Sequence, residues 1–404
     1  MKGRIVAGLA CAAIYAAAGG AFAQQPAAES GSGAVPAGGI PVGPLIAYPG
    51  VDFAYGHDDN LFLRPTDRKS SNHTLLSPYV KIEGKPTPHT FDVTFRIDDG
   101  RYPSSRADNF TNYALTGNAG LVFSARAGLK LRAEQRWGID PRGSTQAGVS
   151  DTPDEYTNTG LEGVFSYGAP GAQGRIEVDA GWFQREYQNN RTTTDDFDRD
   201  TSQLGGTFYW RVAPKTELLF NAKFRKIDYV VGGVTDQDST EQAFTVGAKW
   251  EATALTQGTA KFGRMTKNFS SAGRQDVGSA STWDVGVRWS PLTYSVFDLS
   301  SSKSTNESTG VGDSVLTKLY GVTWTHAWSS RFRSVVLANR NDSKFLGAAT
   351  SRADETDSLG FKLSYEFRRW LRLGADYTHS SRDSNDPLSK YKRNLILFSV
   401  GATL

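Results

Sequence analysis

The fold is decided by the stretch Tyr391 to Leu404, which reads YKRNLILFSVGATL. Every second residue from Ile396 to Leu404 is apolar, whereas the positions between them include Ser399 and Thr403. Because side chains alternate between the two faces of a strand, this pattern predicts a strand with one apolar face. A last strand that must close a sheet against the first is a requirement of an outer-membrane β-barrel. The stretch therefore predicts a transmembrane barrel.

The same alternation recurs along the chain. It predicts an all-β fold of about 18 antiparallel strands (16 to 18), the first at 46–56 and the last at 391–404. In the segment 91–98, for example, Phe91, Val93 and Phe95 alternate with charged or polar residues. Most of the segments exceed the 9 to 11 residues, roughly, that a tilted strand needs to cross a bilayer.

The connections between these segments alternate in length. Short ones occur at 213–215, 291–292, 329–330 and 368–369, and long polar ones occur at 57–73, 139–154, 188–199 and 270–279. Short turns at one end and long loops at the other are typical of outer-membrane barrels, where the turns are periplasmic. An even number of strands then predicts that both termini are periplasmic.

Tryptophan supports this interpretation independently. Five residues stand close to short turns and recur at intervals of about 40 residues, namely Trp210, Trp250, Trp289, Trp328 and Trp370. A ring of Trp at one depth predicts an aromatic girdle at the membrane interface. A β-propeller also repeats at about 40 residues, but each of its blades holds four short strands rather than two long ones.

The N-terminus predicts export. Lys2 and Arg4 precede an apolar run, and Ala21-Phe22-Ala23 forms a cleavage site, so residues 1–23 are expected to be a signal peptide. An alternative is lipidation of Cys11, for which the preceding apolar run is short. Residues 24–44, rich in Gly, Ala and Pro, are expected to be a disordered periplasmic linker, and 45–404 to be the barrel.

Composition excludes several classes of protein. Removal of the signal leaves 43 basic and 42 acidic residues and no Cys, so no nucleic-acid partner and no disulfide are expected. The mean hydropathy is −0.43, and no apolar run after the signal is long enough for a spanning helix. The five His lack the spacing of metal ligands, and no nucleophile motif occurs. No enzymatic activity, metal or cofactor is therefore expected.

The polar face of a barrel this wide is expected to line an aqueous lumen. Its predicted basic residues are Lys130, Arg132, Arg136, Arg211, Lys223, Arg225, Lys249, Lys261 and Arg288. Acidic residues such as Glu134, Glu217 and Asp284 lie among them. Two interpretations stay open: cross-strand ion pairs that stiffen the wall, or cationic stretches that attract an anionic solute.

Two further features are ambiguous. The four carboxylates within 195–200 could bind Ca²⁺, but the segment lacks the Gly and Glu of an ordered calcium loop, which favours a solvated acidic loop. Five tyrosines of the strands could carry a sugar along the lumen or belong to the lipid-facing side, namely Tyr79, Tyr102, Tyr113, Tyr209 and Tyr320.

Several motifs lie near the N-terminus. They are VDFAYGHDDNLF at 51–62, LSP at 76–78, RYPSSRADNF at 101–110 and DPRGS at 140–144. This succession resembles the outer-membrane β-barrel family (porin-2-like) associated with exopolysaccharide biosynthesis operons. The resemblance implies export of a secreted exopolysaccharide, together with periplasmic export machinery, and it brings no catalytic residues. Locally, the short polar residues at 58–60 and 108–109 are expected to satisfy backbone groups where strands end.

The sequence thus favours a conduit for exopolysaccharide in the Gram-negative outer membrane, in contact with lipid and lipopolysaccharide. A general or solute-specific diffusion porin for uptake is the first alternative. A structural or adhesive barrel with a closed lumen is the second.

Overall fold

The computed structural model describes residues 38–144, 150–169, 171–231, 236–251, 255–347 and 351–404. The predicted signal peptide and residues 24–37 of the predicted linker lie outside this part of the chain. Among the described residues, no helix is long and apolar enough to cross a membrane.

The chain forms one short strand, β1 (Ile40–Val42), and then eighteen long ones. These are β2 (Leu45–Asp58), β3 (Ser71–Gly84), β4 (Thr90–Arg101), β5 (Phe110–Val122), β6 (Ala127–Asp140), β7 (Asp154–Tyr167), β8 (Gly174–Tyr187), β9 (Arg199–Ala213), β10 (Thr216–Tyr229), β11 (Ser239–Trp250), β12 (Thr256–Phe269), β13 (Val277–Leu292), β14 (Ser295–Glu307), β15 (Ser314–Ala327), β16 (Phe332–Leu346), β17 (Ala353–Arg368), β18 (Leu371–Ser384) and β19 (Tyr391–Thr403). The described helices are single turns in the long loops: α1 (Arg191–Thr194) and three 3₁₀ turns at Arg106–Asp108, Asp195–Phe197 and Pro387–Ser389.

The sheet closes on itself. Each long strand pairs antiparallel with the next, and β19 pairs with β2 from Leu395 opposite Asp58 to Thr403 opposite Gly50. Among the described residues every long strand is thus paired on both sides over most of its length, which a membrane requires because lipid cannot satisfy free backbone groups. The predicted eighteen-stranded all-β barrel is confirmed.

Ordered structure begins earlier than predicted. β1 pairs with the start of β2, Ile40 opposite Ala47, within the segment expected to be a disordered linker. The turn between the two strands contains Gly43 at φ +61°, a conformation that Gly adopts without steric cost. The sequence did not predict β1, because a strand of three residues is too short to show alternation.

The two faces of the wall differ as the alternation predicts. Phe220 and Phe224 of β10 are 49% and 43% exposed on the outer face, as are large apolar residues of most other strands. The inner face carries most of the charge, yet it also holds buried apolar residues such as Leu219 and Ile227 of the same strand. The outer face is therefore suited to contact with lipid, and parts of the inner face are buried from solvent.

The two ends of the barrel also differ. At one end, here called the short-turn end, the strands are joined by tight connections such as 214–215 and 369–370. At the other, the long-loop end, connections such as 59–70 and 188–198 are longer. β2 begins and β19 ends at the short-turn end.

Candidate functional site

The nine basic residues predicted for the lumen all alternate with the exposed apolar side chains of their strands. They lie on six strands, β6 and β9 to β13, and so on one side of the inner wall. Strand β14 adjoins β13, and together with β15 it carries mostly uncharged inner-face residues such as Ser300, Ser302 and Thr323. A role for the nine basic residues in transport stays a prediction.

Six of the nine basic residues form ion pairs along or across strands. The pairs are Arg132–Glu134 (2.8 Å), Arg136–Glu134 (3.5 Å), Arg211–Glu217 (3.3 Å), Arg225–Glu241 (2.7 Å), Lys261–Asp284 (2.7 Å) and Arg288–Asp298 (2.6 Å). For these six residues the geometry fits the first interpretation, in which ion pairs stiffen the wall. Lys130, Lys223 and Lys249 have no carboxylate within ion-pair distance in the described part of the chain.

Several inner-wall arginines were absent from the prediction, among them Arg175 and Arg96. Arg175 of β8 pairs with Glu217 at 3.3 Å and lies over the Tyr209 ring at 3.8 Å, while Tyr209 donates to Glu177 at 2.9 Å. Arg96 of β4 bridges Asp52 and Asp98 at 3.2 and 2.8 Å. Alternation alone could have found both arginines, because each stands two residues from an acidic residue of the same face.

The sheet divides near the long-loop end. The register between β13 and β14 runs from Leu292 opposite Ser295 up to Trp283 opposite Lys303. Beyond that pair, β13 continues along β12, and a bulge shifts its register by one residue. β14 instead continues along β15 to the pair Glu307 and Ser314. The segment 304–317, here called the inner hairpin, is therefore released from β13.

Side-chain contacts show where the inner hairpin goes. Glu307 of β14 accepts a hydrogen bond from the Tyr229 hydroxyl of β10 at 2.7 Å. Four steps between strands of ~4.8 Å each would separate these residues by about 19 Å along an intact wall, further than two side chains reach. The hairpin must therefore fold inward over the inner face of β10 to β12.

A buried polar network holds the inner hairpin there. Lys267 of β12, fully buried, forms an ion pair with Glu307 and contacts Glu241 at 3.4 Å. Glu241 also accepts from Thr305 at 2.8 Å and from Arg225 at 2.7 Å. Every charge in this network therefore has a partner of opposite sign, as burial requires.

The loop between β12 and β13, residues 270–276, attaches to the inner hairpin at a second place. Asp313, between β14 and β15, accepts from the Arg274 guanidinium and the Gln275 backbone N–H, both at 2.9 Å. Ser314 at the hairpin tip is fully buried. The inner hairpin is consequently held at its stem and at its tip.

A second inward structure lies near β2 to β6, here called the mouth cluster. Leu61, Tyr102 and Phe110 are buried together, and Phe62, Leu75 and Ile139 pack against them. Arg142 covers the Phe62 ring at 4.1 Å and donates to Asp108 at 2.8 Å. Its hydrogen bond to Asp108 raises the pKa of Arg142, so the guanidinium stays charged. Most motifs that suggested the porin-2-like family meet here, although they are far apart in sequence.

The short polar residues of these motifs do the backbone work that was predicted. Asn60 exchanges hydrogen bonds with the backbone of Arg64 and donates to the Lys392 carbonyl at 2.9 Å. Asn109 accepts from the Tyr102 N–H at 2.7 Å. Asp58 is fully buried and accepts from the Arg393 guanidinium at 3.0 Å, which joins β19 to the end of β2. The motif therefore secures barrel closure as well.

The structure gives positions to the five tyrosines and to the acidic loop at 195–200. Tyr113 and Tyr320 are each 40% exposed on the outer face, whereas Tyr79, Tyr102 and Tyr209 belong to the inner face. In the acidic loop Asp198 is buried and accepts from Tyr187 N–H at 2.7 Å and from the Arg191 guanidinium at 2.6 Å. The expectation of a fully solvated loop is wrong for Asp198, because the carboxylate anchors the chain before β9. Across the part of the chain that the structure describes, His, Cys, Asp and Glu form no group fit to hold a metal.

The five tryptophans lie at the short-turn end, near strand termini. Trp210, Trp289, Trp328 and Trp370 are 44% to 59% exposed, and Trp250 packs over Gly258, where a Cβ would meet its ring at 2.6 Å. Their common level fits a girdle, which stays a prediction.

A closed antiparallel barrel with an apolar outer face and a charged inner face defines an outer-membrane β-barrel of the porin class. The chain belongs to the family described as "Putative beta-barrel porin 2", whose model matches residues 34–404. None of the curated proteins matches the sequence. The family suggested by the motifs is thereby supported, whereas its association with exopolysaccharide operons stays a prediction.

Solved porin structures share the fold at low sequence identity. OpdK of Pseudomonas aeruginosa, solved with vanillate, is 12% identical, with a TM-score of 0.51 over 89% of this chain and 99% of that one. A BenF-like porin from Pseudomonas fluorescens Pf-5 is 10% identical, with a TM-score of 0.50 over 89% and 99% of the two chains. OpdQ of Pseudomonas aeruginosa is also 10% identical, with a TM-score of 0.50 over 89% and 98%. These likenesses show the fold and leave the solute open.

Proposed function

We propose that the protein is a diffusion porin for uptake of small hydrophilic solutes, with a preference for anions. The observation that carries this proposal is a group of three lysines on the inner wall. Lys130, Lys223 and Lys249 have no carboxylate at ion-pair distance in the described chain, and they lie beside basic residues that are paired. Unpaired cations in a narrow aqueous passage raise the local concentration of anions.

The orientation follows from general barrel architecture. The long loops are extracellular, the short turns are periplasmic, and both ends of the barrel sequence lie on the periplasmic side. The five tryptophans then form the periplasmic girdle, and the outer face contacts outer-membrane lipid and lipopolysaccharide.

Uptake replaces exopolysaccharide export as the preferred function. Support comes from the porin family and from a fold that matches solved porins over nearly their whole length. The inner hairpin and the mouth cluster also narrow the long-loop end, which obstructs a polymer more than a small solute. Export with periplasmic machinery rests on the motif resemblance alone.

Planar-bilayer conductance of the folded protein tests the proposal. The channel should conduct, favour anions, and be blocked by a small organic anion such as vanillate rather than by a long polysaccharide. Block by long polysaccharides but not by small solutes would support export instead. A folded protein without conductance would favour a structural or adhesive barrel with a closed lumen.

The wall charges give a direct variant test. Lys130→Glu combined with Arg132→Glu should shift the reversal potential towards cation selectivity, because four charge units change on the inner face. Lys226→Glu is the matched control, since Lys226 lies on the outer face of β10 beside Asp228. An unchanged reversal potential in the double variant would remove β6 from the ion path.

A further inference from the structure

Three basic residues lie on the outer face near the long-loop end, here called the outer basic patch: Arg264 of β12, Lys303 of β14 and Lys318 of β15. Each alternates with lipid-facing side chains. Phe262, two residues before Arg264, is 56% exposed, and Tyr320, two residues after Lys318, is 40% exposed. Lys303 is registered opposite Trp283, and its Nζ lies 5.6 Å from the centroid of that ring.

Two of the three side chains contact β13 near the long-loop end, and the third lies beside them. Lys303 Nζ donates to Ser281 Oγ at 2.8 Å, and Ser281 is the registered partner of Arg264. The Arg264 guanidinium donates to the Ser279 carbonyl at 3.3 Å. On the other side, Lys318 stands directly opposite Lys303. Registered residues have Cα atoms only about 4.5 to 5.5 Å apart, so the charges are neighbours.

The outer basic patch differs in its partners from two other basic residues of the outer face, Lys226 and Arg340. Lys226 pairs with Asp228 at 2.7 Å, and Arg340 pairs with Asp342 at 3.1 Å. Asp342 is also the registered partner of Lys318, but the ion pair of its carboxylate goes to Arg340. Within the described ranges, no carboxylate forms an ion pair with any member of the patch. Like charges opposite each other on a sheet are destabilising, so an external anion that paired with Lys303 and Lys318 would stabilise the patch.

The level of the patch indicates which anion it would meet. On β12, β14 and β15 the three basic residues are the first outer-face charges beyond the ring level of Phe262, Trp283 and Tyr320, at the edge of the apolar belt. Lipid head groups begin there, and their phosphates are the anions that Lys and Arg bind in membranes.

We propose that Arg264, Lys303 and Lys318 form a binding site for a phosphate group of an outer-leaflet lipid, with lipopolysaccharide as the ligand. Arg264 supplies a planar fork for two phosphate oxygens, and the two lysines supply point charges on either side of it. The Trp283 ring beneath Lys303 keeps the ammonium at the belt edge. The site is independent of whatever passes through the lumen.

Binding of purified lipopolysaccharide to the folded, delipidated protein tests this site by native mass spectrometry and by titration in detergent. The triple variant R264Q/K303Q/K318Q should bind about 100-fold more weakly, as expected for three basic residues near a membrane surface. K226Q, an outer-face lysine with its own carboxylate, should bind as the unchanged protein does. The charge-keeping variant R264K/K303R should retain most of the affinity.

Chemically altered probes identify the source of the phosphate. Dephosphorylated lipopolysaccharide should bind the unchanged protein as weakly as intact lipopolysaccharide binds the triple variant. Phosphatidylglycerol that binds as tightly as lipopolysaccharide, with the same loss in the triple variant, would keep the phosphate site and overturn the lipopolysaccharide assignment. Equal binding of lipopolysaccharide to the unchanged protein and to a triple variant with unchanged melting temperature and conductance would overturn the site.

Discussion

The inner hairpin and the mouth cluster both fold into the long-loop end, but different forces hold them. The mouth cluster buries Leu61, Tyr102 and Phe110 around an arginine on its rim. The inner hairpin is held by buried charges, chiefly Lys267 and Glu307. Apolar packing loses stability in proportion to the atoms removed, whereas a buried ion pair fails abruptly when one partner is lost. The two structures should therefore respond differently to substitution.

The largest expected effect is at Glu307. Glu307→Ala leaves Lys267 charged and buried without its main partner, which should lower the free energy of unfolding by about 3 to 5 kcal/mol or release the hairpin. Urea unfolding in lipid measures the first outcome, and increased single-channel conductance reveals the second.

Two variants serve as controls for that result. Lys267→Met combined with Glu307→Leu should recover most of the loss, because apolar residues of similar volume can replace a buried pair. Asp298→Ala, which breaks the exposed Arg288–Asp298 pair, should change stability by less than about 1 kcal/mol. A Glu307→Ala protein with unchanged stability and conductance would show that the hairpin is held by other contacts.

In the mouth cluster, Phe110→Ala should lower the free energy of unfolding by about 3 kcal/mol, since a buried aromatic ring is replaced by a cavity. Trypsin should then cut more readily at Arg64 and Arg106 in the adjoining loops, while sites near the inner hairpin stay protected. Faster cleavage at both places would mean that the two structures are coupled and would remove the distinction between them.

The strands can be predicted from the sequence, but the inner hairpin and the mouth cluster cannot. The residues that hold these two structures together are far apart in the sequence. Alternation within ten residues marks each strand, so the eighteen strands follow from local pattern. Glu307 meets Tyr229 and Lys267 across 78 and 40 residues, and nothing in its strand distinguishes it from other charges. The division between β13 and β14 depends on where pairing stops, which no local pattern encodes. Arg175, by contrast, was within reach of the alternation rule.

A substitution at the opposite end of the barrel sharpens the comparison. Trp289→Ala should lower the free energy of unfolding by about 2 kcal/mol if Trp289 sits at the interface, because its ring anchors there and stacks on Phe297 at 5.1 Å. Trp250→Ala should have a similar effect. Conductance and loop cleavage should not change, since the inner hairpin and the mouth cluster lie at the other end of the barrel. No loss of stability in lipid would remove these residues from the girdle.

The smallest effect is expected at the rim of the mouth cluster. Arg142→Lys keeps the charge but loses the planar contact with Phe62 and part of the hydrogen bonding to Asp108, at a cost of about 1 kcal/mol. Arg106→Lys, in the neighbouring loop between β4 and β5, is the control, because Arg106 is exposed. If neither variant loses stability, charge alone explains the role of Arg142. If only Arg142→Lys does, the stacked geometry matters, and the mouth cluster depends on an aromatic contact that the inner hairpin's buried ion pairs do not use.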